Sequence, residues 1–131
     1  MNLNSPQLNL VMAWLWMLVG FVTGMLLGMG FHKEGWLGGY GSLQRRLYRL
    51  GHIACFALGA VNLLFALTVI TIGARGAGVE IASWGFVIGA ISMPVCCVLM
   101  AHWPKLHLIF AVPVVSLLVA ATFTLLEVIK L

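Results

Sequence analysis

Arg45-Arg46-Leu47-Tyr48-Arg49-Leu50-Gly51-His52-Ile53-Ala54-Cys55, read on through Gly59 to Asn62, begins as a basic collar and continues as an apolar span. At helical spacing Tyr48, His52, Cys55, Gly59, Asn62 and Ala66 follow one another in steps of four and three, so they share one stripe. Small and polar side chains occupy that stripe, while Leu, Ile, Val and Phe cover most of the remaining surface. In water such a face would turn outward. Lipid hydrocarbon cannot satisfy polar groups, so there the same face must turn inward, against other helices. The stretch predicts one helix of a membrane bundle.

The rest of the chain agrees. Of its 131 residues, 63% are hydrophobic and 8% charged, with a mean hydropathy of +1.11. A water-soluble domain carries about 25% charged residues, which excludes a soluble core. About 20 mainly apolar residues make a spanning helix, and four such runs occur: about Leu8 to Phe31, Tyr48 to Ile72, Ile81 to Ala101 and Leu106 to Ile129. Gly- and Pro-marked connections separate them: a long one from His32 to Gln44, a short one from Gly73 to Glu80, and a tight turn through Trp103-Pro104. Short connections make successive helices antiparallel neighbours. The expected fold is an all-α membrane protein, an antiparallel up-down bundle of four transmembrane helices forming a single domain over residues 1–131.

No Lys or Arg precedes the first span and no small-residue cleavage site follows it, so the first helix is expected to remain in the mature chain. In this topology Lys33, Arg45, Arg46, Arg49 and Lys105 share one side, and Arg75 and Lys130 the other. Five cations against two predict a cytoplasmic first side, with both termini outside a plasma (inner) membrane. Trp36 and Trp103 are then expected at the inner interface, and Trp14, Trp16 and Trp84 near the outer one. The net charge of +4 reads as topology and attraction to anionic lipids, not as a nucleic-acid surface.

Packing signals are plain. Gly20, Gly24 and Gly28 make two overlapping GxxxG steps in the first span, and Gly85 and Gly89 make one in the third. They predict close helix contact within the bundle, or one face left for a partner subunit. Pro94 and Pro113 should bend the third and fourth helices. Asn62, strongly polar near mid-span, predicts an interhelical hydrogen bond.

Chemistry, if the chain has any, lies in four histidines that the topology brings to one side: His32, His52, His102 and His107. Imidazole ligates haem iron or hydrogen-bonds a quinone carbonyl. For a haem b the expected axial pair is His52 with His107 or His102, with Arg45 or Arg49 (or Arg46) holding propionates. A quinone headgroup would suit the same shallow site, with Tyr48 and arginine nearby. A copper site drawing on His52, Cys55 and His102 is a further expectation, since thiolate and imidazole together suit that metal. Cys96, Cys97 and Met100 crowd the same end of the third span. Small haem-b anchors and copper-resistance membrane proteins are similar in architecture, but no stretch of this chain matches a motif of either.

No acidic or basic residue lies in the middle of a span, and no phosphate loop, nucleophile–base pair or catalytic carboxylate pair occurs. A free-standing enzyme is the least expected class. The sequence points to a small accessory subunit of a larger electron-transfer complex, respiratory or photosynthetic. It would anchor and seal other membrane subunits in the lipid and hold a haem b or quinone near the cytoplasmic face. The alternative is a small homo-oligomeric transporter or channel lined by Asn62.

Overall fold

The structure is a computed structural model in which residues 4–130 are described. Four long helices dominate: α1 (Ser5–Gly30), α2 (Leu43–Ile72), α3 (Ala77–His102) and α4 (Ala111–Ile129). Single 3₁₀ segments cover Trp36–Gly38 and Pro104–Phe110. With that second segment joined to α4, four helices are long and apolar enough to cross a membrane, at 26, 30, 26 and 26 residues.

The helix ends follow from local chemistry. The side chain of Asn4 accepts from the Gln7 N–H at 3.2 Å, and Pro6 sits in the first turn, where a missing N–H costs nothing. Ser42 caps α2 by accepting from the Arg45 N–H at 3.1 Å, so α2 starts at Leu43 and not at Tyr48 as expected. Gln, Arg and Leu are good helix formers, and the basic collar simply becomes the first turns of α2. Gly73 ends α2 with φ 65°, a left-handed value that glycine adopts freely. The expected fourth span departs more. Pro104 starts a tight 3₁₀ run that becomes α-helical only at Ala111, so His107 lies on this connector and does not open α4.

α1 packs on α2 and α3, α2 on α3, and α3 on α4. The glycines show how closely. A Cβ added at Gly59 would lie 3.1 Å from the Ala13 carbonyl oxygen, and one at Gly85 would lie 2.9 Å from both the Ser116 carbonyl oxygen and the Ala120 Cβ. Gly20 and Gly24 receive the Phe56 ring and the His52 ring, while Gly28 faces open space. Two of the three α1 glycines therefore serve packing inside the chain. Two apolar clusters fill the interior: Phe65, Val69, Val79, Ala82, Phe86 and Ala120 in one, and Met12, Ala54, Leu58, Val87 and Ala90 in the other.

Between them lies a polar knot. Asn9, Asn62 and Ser83, from α1, α2 and α3, are all fully buried. Asn9 Nδ2 donates to Asn62 Oδ1 at 2.7 Å, and Ser83 Oγ donates to Asn9 Oδ1 at 2.5 Å. Asn62 Nδ2 donates in turn to the Leu58 carbonyl at 2.9 Å. The expected interhelical bond of Asn62 is present, with Asn9 as the partner the sequence did not name. A buried amide left unpaired would cost about 1–3 kcal/mol, so this knot fixes the rotation of three helices at once.

The two prolines of the later helices stand differently. Pro94 has no N–H to return to the Ala90 carbonyl, and Trp16 Nε1 of α1 donates to that oxygen at 2.8 Å. Pro113 stands in the first turn of α4, where its missing N–H breaks no intrahelical bond, and Cys96 Sγ of α3 lies 3.4 Å from the Ile109 carbonyl of the preceding connector. Trp16 is therefore half-buried against α3 partway along α1, a pairing the sequence reading did not name. Trp16→Phe, which keeps the ring and loses the N–H, is expected to destabilise the fold by about 1 kcal/mol. The midpoint of a denaturing-detergent titration reads this, and an unchanged midpoint would refute the role.

Candidate functional site

A cavity of about 620 Å³ opens between α1, α2 and α3, beside the 32–44 connection. That volume lies within the ~300–1,000 Å³ of small-molecule sites. Its walls are mainly apolar (Val19, Leu26, Leu27, Ile91, Val95 and Val98 among them) and two indoles, Trp16 and Trp36, contribute to the lining. Pro94 and Gly51 lie on the wall where α3 passes α2. The side chains able to hydrogen-bond a ligand there are Thr23, His52, Tyr48, Cys55 and Trp36, the last through its indole N–H.

His52 is half-buried and tightly placed. Its Nδ1 lies 3.1 Å from Thr23 Oγ1, and its ring meets Phe56 edge-on at 5.4 Å between centroids. The absence of a side chain at Gly24 makes room for it, since a Cβ there would stand 2.8 Å from His52 Cε1. One turn earlier on α2, Tyr48 Oη lies 2.9 Å from His102 Nε2 at the end of α3, with the rings nearly perpendicular. Cys55, one turn deeper than His52, bonds its own Gly51 carbonyl at 3.3 Å.

The other sequence candidates go elsewhere. His32, His102 and His107 are exposed, and of the four histidines only His52 lines the cavity. Among the described residues no group of three His, Cys, Asp or Glu side chains comes close enough to hold a metal ion. His52, Cys55 and His102 are instead each engaged with a separate partner: Thr23, Gly51 and Tyr48.

Arg45 is 2% exposed, and its guanidinium carbon stands 5.0, 5.6 and 5.1 Å from the ring centres of Phe31, Trp36 and Tyr40. Nη2 donates to the Phe31 carbonyl at 3.4 Å, and Nε is buried without a hydrogen-bond partner among the described residues. Arg49 shares Tyr40 at 5.1 Å. Arg45 thus clamps the 32–44 connection to α2 by cation–π attraction. Trp36, held by that clamp over Gly30, is itself a wall of the cavity. The connection is shaped for this: Leu37 takes φ 54°, and Gly38 and Gly39 follow with φ 80° and 90°. A left-handed leucine is rare, and Ser42 Oγ pins it by donating to the Leu37 carbonyl at 2.5 Å.

Of the site residues singled out from the sequence, His52, Tyr48 and Cys55 line this cavity, and Thr23, Trp16 and Trp36 line it without having been singled out for it. The signal for Thr23 was available: it is the lone hydroxyl in the run from Gly20 to Gly28, beside the glycine that admits an aromatic ring. Comparison with protein-family models, with curated proteins and with solved structures finds no match to this chain.

Proposed function

We propose that this chain is a non-catalytic integral-membrane subunit of an electron-transfer complex and holds a quinone-class headgroup in the cavity at His52. The observation that carries this reading is the pairing of a largely apolar, ring-sized cavity with a positioned imidazole and phenol one helical turn apart. Such a site suits a flat ring with polar substituents and an apolar tail that leaves between helices. Haem b fits less well. Two imidazoles must face one iron in a bis-histidine site, whereas His52 alone lines the cavity and His102 is engaged by Tyr48.

The surrounding architecture is read as four up-and-down passes. Ala13 meets Gly59, Gly20 meets Phe56 and Gly24 meets His52, so numbering rises along α1 as it falls along α2. Lys33, Arg45, Arg46, Arg49 and Lys105 favour the cavity end on the cytoplasmic side of a plasma membrane, with both termini opposite. Exposed apolar side chains such as Leu18, Phe21, Leu118 and Leu125 would meet lipid or neighbouring subunits. The polar knot at Asn62 is closed on itself, so it lends no support to a transport path through the bundle.

Mild-detergent extraction of native membranes tests the reading. The chain should migrate within a larger complex, with solvent-extractable quinone that falls at least tenfold in His52→Ala. Recovery as a free, quinone-free chain would overturn it. A reduced-minus-oxidised spectrum should show no haem bands. A Soret change lost in His52→Ala would replace quinone with haem.

A further inference from the structure

The hydrogen-bonding sense of the site selects among ligands. Thr23 has one hydroxyl proton and three claims on it, the Gly20 carbonyl at 3.1 Å being one. Its Oγ1 lies 2.8 Å from the Val19 carbonyl and 3.1 Å from His52 Nδ1. The shorter contact is the back-bond a helical threonine commonly makes to the carbonyl four residues earlier. With the proton directed to Val19, Thr23 can only accept from His52, so Nδ1 carries the imidazole hydrogen. In a neutral ring Nε2 is then a bare lone pair.

The second polar group acts in the same sense. With His102 Nε2 bare, the phenol being the stronger donor, Tyr48 Oη donates to it across 2.9 Å. What remains on Oη is lone pairs. His52 and Tyr48 stand four residues apart on α2 and both line the cavity. Both therefore present acceptors at the same wall.

We infer that the cavity binds its ligand in a hydroxyl-bearing form, as a hydroquinone or related phenol whose O–H donates to His52 Nε2, and that Thr23 is the residue that sets this preference. The inference rests on the quinone-class reading of the cavity. It assigns Thr23 a positioning role through His52, with no bond made or broken in the ligand.

The test uses the full chain in lipid nanodiscs and three calorimetric titrants: a short-alkyl benzoquinone, its hydroquinone, and the hydroquinone dimethyl ether. The hydroquinone should bind about tenfold more tightly than either of the others, the ratio worth one ordinary hydrogen bond. Thr23→Ser should keep that ratio. Thr23→Val removes the acceptor for Nδ1–H, moves the hydrogen to Nε2, and should turn the preference toward the quinone. Independently, imidazole ¹⁵N shifts of His52 in the ligand-free chain should report a protonated Nδ1 and a bare Nε2. Quinone preferred by the native chain, a ratio indifferent to Thr23→Val, or a protonated Nε2 would each overturn the inference. A bare Nε2 with none of the three titrants bound would leave the tautomer right and the quinone-class reading wrong.

Discussion

Arg45→Ala is expected to release the 32–44 connection from α2 and to lower stability by about 2–3 kcal/mol. A desolvated cation over an aromatic face contributes about 2 kcal/mol or more, and here one guanidinium serves three rings. Its apolar stem adds packing that alanine cannot supply. Arg45→Met separates the two contributions: it refills the volume without the charge and should fall between native and alanine. Arg45→Lys keeps the charge but not the flat guanidinium that stacks on a ring, and should also be intermediate. Limited trypsin digestion reports the release directly, because Lys33 lies at the start of this connection. Faster cleavage there in the alanine variant is the expected result. Equal resistance in native and alanine chains would show that the rings do not depend on the cation.

Gly85→Val is expected to separate α4 from α3, with a loss of about 3 kcal/mol, at the upper end of overpacking penalties. The first added carbon alone would stand 2.9 Å from the Ser116 carbonyl oxygen, part of the α4 backbone, where no side chain can turn aside. α4 packs chiefly on α3, where Leu117 also sits over Gly89, and its buried residues are Pro113 and Ala120. Far-ultraviolet dichroism should be unchanged, since each helix persists. The denaturing-detergent midpoint should fall, and a cysteine crosslink placed between α3 and α4 should fail to form. Gly28→Val is the matched control: nothing lies within 4 Å of its would-be Cβ, so the isolated chain should tolerate it. If Gly85→Val crosslinks as well as native, the close approach is not what seats α4.

Much of this was legible from the residues alone. Helix count and the inward stripe of α2 follow from apolar periodicity, which a bilayer enforces: Cys55, Gly59, Asn62 and Ala66 are all buried. The glycine steps announced close approach. What periodicity cannot reveal is which residue of another helix stands opposite, because that depends on rotation about each axis. Asn9 and Asn62 were both visible, but not that they meet. Trp16 read as an interfacial anchor because indoles favour that depth, while the carbonyl that claims it exists only because Pro94 sits 78 positions further along. The histidines misled most. Four shared one side, yet only His52 was given a neighbouring glycine that lets its ring enter the bundle. For Arg45 the cage is made by a connection with a left-handed leucine, a conformation that residue type gives no cause to expect.

The carbonyl freed by Pro94 carries an implication for biosynthesis. A main-chain oxygen stripped of its helical donor is costly in hydrocarbon until something else reaches it. The group that reaches it comes earlier in the polypeptide: Trp16 precedes Ala90. Chains are made and inserted from the amino end. α3 therefore follows the indole that will quiet its freed carbonyl, so vectorial synthesis never leaves that oxygen waiting on a helix still to be translated. Circular permutation that moved α1 behind α3 would reverse that order without altering a single contact of the finished bundle.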